Sequence, residues 1–204
     1  MADTHTYTAG LPLLLAYFAG QNVTDLACLG DCPPEPFRAW LTGSRRLYWV
    51  YDFHGPVLPE ATACGMGLAL PGNVFLAHTR ALLWTHFRKE LHAYLAAPPS
   101  GRPPLLFCHG HTHVPSVTDY RPPAPRLLYI NDALRPQDFR PRQACLTLEP
   151  DHVYLIVPGA FTLEEGRYPT FSFAVLDRER GRLAMVSLTD LAALRHLTLF
   201  GEDG

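Results

Sequence analysis

The most constraining stretch of the chain runs Leu105-Leu106-Phe107-Cys108-His109-Gly110-His111-Thr112-His113-Val114-Pro115. Its apolar opening predicts a short buried strand, and the chain then delivers three histidines, a glycine and a proline in quick succession. Residues that do chemistry are commonly hung on the loop just past a sheet edge. An extended backbone would put the His111 and His113 rings on one side and Thr112 on the other. Gly110 removes a side chain where the backbone must turn or approach something closely. Two imidazoles so spaced suit a metal ion; the plain alternative is a pair of solvated loop histidines.

The same pattern recurs along the chain. Asp3 and His5 repeat the two-residue spacing near the start. Leu11 to Phe18 is compatible with a helix ending near Gly20, and Val23 to Leu29 reads as a strand closing on Gly30-Asp31. Pro33 to Leu41 predicts a short helix stopped by Gly43. Leu47 to Tyr51 reads as a strand that runs into Asp52-Phe53-His54-Gly55, with residues 57–73 as loop and weak strand. Val74 to Ala77 is a further strand delivering His78, after which Thr79 caps a helix with apolar Leu83, Phe87, Leu91 and Leu95. His86 and His92 on that helix read as solvated or packing residues. Residues 117–142, rich in proline and arginine, read as one long loop, a kind often functional. Gln143 to Leu148, Val153 to Val157, Thr170 to Leu176 and Arg182 to Leu188 read as antiparallel strands, with a turn at Glu179-Arg180-Gly181 and a weak helix near Leu191. There is no internal repeat, and residues 1–204 read as a single domain.

Composition narrows the classes. The formal net charge of -2 gives no broad footprint for nucleic acid. Lys89 is the one lysine among 17 basic residues, which argues against reading individual arginines as functional signals. Five cysteines without paired spacing suit reduced thiols. No apolar run spans a bilayer and no signal segment opens the chain, so a soluble, cytoplasmic protein is expected.

Strand ends therefore carry Asp3, His5, Asp31, His54, His78, His111 and His113. Oxygen and nitrogen ligands without a convincing thiolate suit Mn, Fe, Zn, Ni or Co. A carboxylate shared by two ions holds them roughly 3.5–4 Å apart and suits displacement at phosphorus, and Asp31 is the natural bridge.

Taken in order, these blocks resemble the calcineurin-like metallophosphoesterases, most closely the small bacterial and archaeal phosphodiesterases. The family's D-x-H, G-D, G-N-H-D, strand-borne histidine and G-H-x-H look like Asp3-Thr4-His5, Gly30-Asp31, Asp52 to Gly55, His78 and Gly110 to His113. Val157-Pro158-Gly159-Ala160 resembles its N-P-G-S segment. The resemblance implies an α/β four-layer sandwich, two mixed β-sheets flanked by helices. It also implies that Asp3, His5, Asp31 and His113 hold one divalent ion and that Asp31, His78 and His111 hold another, with manganese the leading choice. His54 would stabilise the phosphate charge or protonate the leaving oxygen. The activity implied is hydrolysis of a phosphodiester, a small molecule or a nucleotide, by water activated at a dinuclear site. No membrane partner is implied, and there is room for a homo-oligomer.

Three positions depart from the family pattern. Phe53 stands where an asparagine binds the second ion, so that site is expected to be weak. Only Met1 and Ala2 precede Asp3, so the expectation is either a sheet that lacks the usual first strand or a natural start that lies upstream. Val157 replaces the asparagine before Pro-Gly. The alternative function is a catalytically weakened or inactive scaffold or binding protein on the same fold. His109 reads as buried or as support for a ligand.

Overall fold

The structure, a computed structural model, describes residues 1–5, 7–120, 124–131, 141–162 and 170–200. A helix α1 (Leu11–Gly20) leads to strand β1 (Asp25–Cys28), the one-turn helix α2 (Glu35–Arg38) and β2 (Arg46–Val50). Then come β3 (Ala63–Gly65), β4 (Gly67–Leu70), β5 (Val74–Ala77), α3 (Arg80–Ala96) and β6 (Leu105–His109). The remainder is strand: β7 (Ser116–Asp119), β8 (Arg126–Ile130), β9 (Arg142–Thr147), β10 (Val153–Val157), β11 (Phe161–Thr162), β12 (Thr170–Asp177) and β13 (Arg182–Leu188). A 3-10 helix, Leu191–His196, follows.

Six strands form one mixed sheet in the order β4-β5-β6-β10-β7-β8. Facing it are a parallel set, β1-β2-β3, and an antiparallel set, β11-β12-β13-β9. Met1 to Asp3 joins these two sets. The Leu29 and Phe161 N–H groups donate to Met1 and Ala2 carbonyls at 2.9 and 3.2 Å, and Asp3 N–H donates to Gly30 at 3.1 Å. Ala2 makes an isolated parallel bridge to Ala160. The expected gap in the sheet is thus filled by a stub, short as it is.

Alternation sorts the apolar side chains into three cores. Leu26, Cys28, Leu47 and Trp49 face α1, together with Phe173, Ala184 and Val186. The intervening Ala27, Leu29, Tyr48 and Val50 face inward against Leu76, Leu106, Tyr154 and Ile156. Phe75, Leu105, Phe107, Val153 and Leu155 lie on the far side of the six-stranded sheet, under Leu83 and Phe87 of α3. Helix, sheet, sheet and helix therefore stack in four layers, with both faces of the central strands buried.

Four sequence expectations need correction. Residues 117–142 are not one loop, because β7 and β8 pair antiparallel with a register shift at Val117/Thr118. Arg135, Phe139 and Arg140 of that segment lie outside the described residues. Val153 to Val157 does not join its sequence neighbours in one antiparallel set. It enters the other sheet, parallel to β6 and antiparallel to β7, where its five buried residues complete two cores. In α3, a non-helical turn at Phe87 shifts the helical phase, so Tyr94 is buried and Leu95 is 48% exposed. His86 and His92 are exposed, as expected. The fourth correction concerns the histidine loop.

Candidate metal centre

Parallel pairing lines up the chain exits. β5 pairs with β6 so that Ala77 lies opposite His109, and the next residues, His78 and Gly110, leave the sheet together. Gly110 N–H donates to the His78 carbonyl at 3.0 Å. β1 pairs with β2 so that Cys28 lies opposite Trp49, and each chain then runs three residues on to a carboxylate, Asp31 or Asp52. The stub beside β1 brings Asp3 and His5 to the same place, with His5 N–H donating to the Asp31 carbonyl at 2.7 Å.

Six predicted ligands come together here in two groups. Asp3, His5 and His113 form one, and Asp31, His78 and His111 the other, with ligand atoms within 4.8 Å of one another in each. In the first, His5 Nε2 lies 3.1 Å from His113 Nε2, and Asp3 Oδ1 lies 3.7 Å from His113 Nε2. In the second, Asp31 Oδ2 is 3.4 Å from His78 Nε2, and the His78 and His111 rings meet edge-on at 5.1 Å. The Asp3 carboxylate ties the groups together, accepting the His111 N–H at 2.9 and 3.1 Å. Asp31 falls in the second group, adjoining the first through its backbone. No His, Cys, Asp or Glu outside the predicted set joins either group among the described residues.

The backbone here is unusual. Asp3, His5, Asp31, His111 and His113 all have positive φ, between 46 and 69°. Such conformations are uncommon outside glycine and persist where surrounding structure imposes them, often at functional sites. They also overturn the extended reading of His111 and His113. The left-handed turns send these two rings to different groups instead of one side. Two glycines make the approach possible. A Cβ on Gly30 would overlap the His78 ring, and one on Gly110 would meet Asp3 Oδ2 at 2.7 Å and the Leu29 carbonyl at 3.1 Å.

Does this donor set suit a cation? His78 is 1% exposed, and its Nδ1 lies 2.7 Å from the Leu29 carbonyl. A carbonyl only accepts, so Nδ1 must carry the proton, and in the neutral ring Nε2 aims a lone pair toward Asp31 Oδ2. Two electron-rich atoms converge with the ring oriented from behind by a carbonyl, the arrangement usual for metal-binding histidines. The donor set fits a divalent ion. Burial pushes the Asp3 carboxyl up to about 8, against the His111 N–H, which favours the ionised form. A buried acid held protonated near neutrality is one that a cation would convert to a ligand.

No protein-family model and no curated protein matches this chain. Among solved structures, it is similar to a metallophosphoesterase from Sphaerobacter thermophilus, at 16% identity and a TM-score of 0.49, covering 96% of this chain and 90% of that one. It is also similar to a single mutant of Vps29 from Entamoeba histolytica, at 15% identity and a TM-score of 0.47, covering 87% and 83%.

The loop after β2 differs from the ligand groups. Asp52 Oδ1 accepts the N–H groups of His54 and Gly55 at 2.9 and 2.6 Å. The His54 N–H, and after it the Gly55 N–H, hold the Asp52 carboxyl below its usual range against partial burial. His54 itself is exposed and belongs to neither group. Phe53 is 76% exposed. His109 is 2% exposed, its Nδ1 lies 2.7 Å from the Gly110 carbonyl, and burial lowers its pKa.

Proposed function

We propose that this protein is a divalent-metal-dependent phosphoesterase, most suited to phosphodiesters, with manganese as its leading metal. The observation that carries the reading is the convergence of six oxygen and nitrogen donors in two adjoining groups, five of them on left-handed backbone. Asp3, His5 and His113 would hold one ion, His78 and His111 the other, and Asp31 would serve both. Divalent ions in such groups neutralise phosphoryl charge and acidify water. Gly110 lets the Asp3 carboxylate close against the His111 N–H, and the Leu29 carbonyl fixes the His78 ring. Asp52 shapes the loop that carries His54, whose imidazole would stabilise the phosphate or protonate the departing oxygen, a task suited to imidazoles as a class. The test is turnover of bis(p-nitrophenyl) phosphate by purified protein in excess Mn. Turnover abolished by Asp31→Asn is expected; a wild-type protein without turnover overturns the assignment.

One observation favours a second reading, a binding or scaffold protein on this fold. Phe53 offers no ligand atom where the resemblance calls for an asparagine. A scaffold would keep its function in a His111→Ala variant, whereas the phosphoesterase would lose turnover.

A further inference from the structure

Phe53 has the largest exposure among the large apolar side chains described, 76%, and Val57 on the same loop is 52% exposed. This exposure does not come from a slack loop. At one end Asp52 Oδ1 accepts two backbone N–H groups, from His54 and Gly55. At the other, the Trp49 indole N–H donates to the Pro56 carbonyl at 2.8 Å, and Trp49 itself is 1% exposed in the core. Leu58, just beyond, is fully buried. A loop pinned on both sides thus holds a phenyl ring in solvent between a carboxylate and an imidazole.

The position of that loop gives the ring a use. β1 and β2 are parallel neighbours in register, and Asp31 and Asp52 each stand three residues past the Cys28–Trp49 pair. Phe53 therefore leaves the same sheet edge as Asp31, from the neighbouring strand. A phosphate bound at the two ligand groups would carry its ester substituents toward this rim. We propose that Phe53 is the platform on which a flat aromatic substituent of the substrate, a nucleobase or an aryl group, lies against the protein. This deepens the phosphoesterase reading and rests on it for the phosphate's location. The ring gives up the ligand atom that asparagine would supply and offers stacking area in its place. Such area recognises any flat π-face with little regard to its edge. Because the loop is already fixed, little ordering cost opposes binding.

The experiment compares equilibrium affinities of three phosphate monoesters for Mn-loaded protein by calorimetry: thymidine 5′-monophosphate, phenyl phosphate and methyl phosphate. All carry the same phosphate and differ only in the substituent. The wild type is expected to prefer an aromatic ester over methyl phosphate by about tenfold, a modest value for stacking on an aromatic ring. Phe53→Ala should collapse that ratio toward one, and Phe53→Trp should keep it. Truncating an exposed side chain leaves the core untouched, so loss of folding is not expected. Preference for the thymidine ester alone assigns a nucleobase; equal preference for the phenyl ester assigns an aryl group. No preference in the wild type, or one that survives Phe53→Ala, overturns the proposal, the second outcome directing Phe53 to a protein contact. Turnover of bis(p-nitrophenyl) phosphate is scored separately, so failure of catalysis and failure of the aromatic platform remain distinct.

Discussion

Two clusters of histidine and carboxylate stand at opposite edges of the six-stranded sheet, and they are built on different rules. At the edge where β7 ends and β10 begins, His152 is 4% exposed and Asp119 2%. Each ring nitrogen there has its own carboxylate, Nδ1 with Asp119 Oδ2 at 3.0 Å and Nε2 with Glu149 Oε2 at 3.1 Å. The ring also stacks on Tyr154 at 5.8 Å. Both ring nitrogens face carboxylate oxygens, and neither His152 nor Asp119 has a positive φ. At the other edge, nitrogen meets nitrogen at 3.1 Å in His5 and His113, and five of the six grouped residues have positive φ. The first cluster pairs one ring with two carboxylates, whereas the second gathers six ligand atoms into two groups. Buried imidazoles thus say little until one asks what each nitrogen faces.

The sharpest way to break this contrast is to remove one member from each side. Asp31→Asn should lower kcat/KM for a phosphodiester by at least about 100-fold, since supporting residues around metals already cost 10–100-fold. Its equilibrium stability in the absence of metal should change little. His152→Ala should do the reverse. Taking the nearer partner from a buried Asp119 should cost about 3 kcal/mol in urea unfolding, while metal content per folded molecule stays the same. If His152→Ala emptied the metal groups, the two clusters would be one coupled system and the contrast would fail.

A smaller effect follows from Asp3. Its carboxyl, raised by burial to about 8, holds a proton in the folded metal-free protein that the unfolded chain releases near 3.8. Between those values the folded state binds more protons, so metal-free stability should fall as pH rises, flattening above about 8. Metal must displace the same proton, so affinity for Mn should climb about tenfold per pH unit below that point. Calorimetry in two buffers of different ionisation enthalpy would reveal the released proton. Affinity that is flat from pH 6 to 8 would mean that Asp3 gives up no proton to the metal, being either already ionised or not a ligand.

Asp31, His78, His111 and His113 were legible because each follows an apolar run, whereas Asp3 and His5 showed only their spacing; the parallel register of β5 on β6 then fixes where His78 and Gly110 emerge. The geometry of the loop was not. Nothing in a G-H-x-H string announces left-handed φ at both His111 and His113, nor that the His111 N–H donates to Asp3, 108 residues away. Long-range pairing was equally hidden. Val153 to Val157 is apolar throughout, which suits a strand buried on both faces, but only the partner strand β6 decides which sheet receives it. The kink at Phe87 shows the limit of periodicity, since one non-helical residue exchanges Leu95 for Tyr94 in the core. His152 carried no motif, its partners Asp119 and Tyr154 being brought together by cross-strand register.

The smallest prediction tests whether left-handed φ alone marks a ligand. Asp151 has φ 61°, yet its carboxylate serves the backbone, accepting N–H groups from Ser100 at 3.1 Å and Gly101 at 2.6 Å, together with Arg102 Nε at 3.0 Å. Burial alone would raise its pKa, but the Ser100 N–H, then the Arg102 side chain and the Gly101 N–H, outweigh it and hold the carboxyl at about 2. A depressed pKa contributes stability above the unfolded value of 3.8, and that contribution disappears as pH falls through about 2. Asp151→Asn should therefore lower Tm by a few degrees at pH 6, with the gap to wild type closing toward pH 2. Metal content and phosphodiester turnover should be the same in both proteins. A loss of either in Asp151→Asn would erase the distinction between a carboxylate that closes a turn and one that waits for a cation.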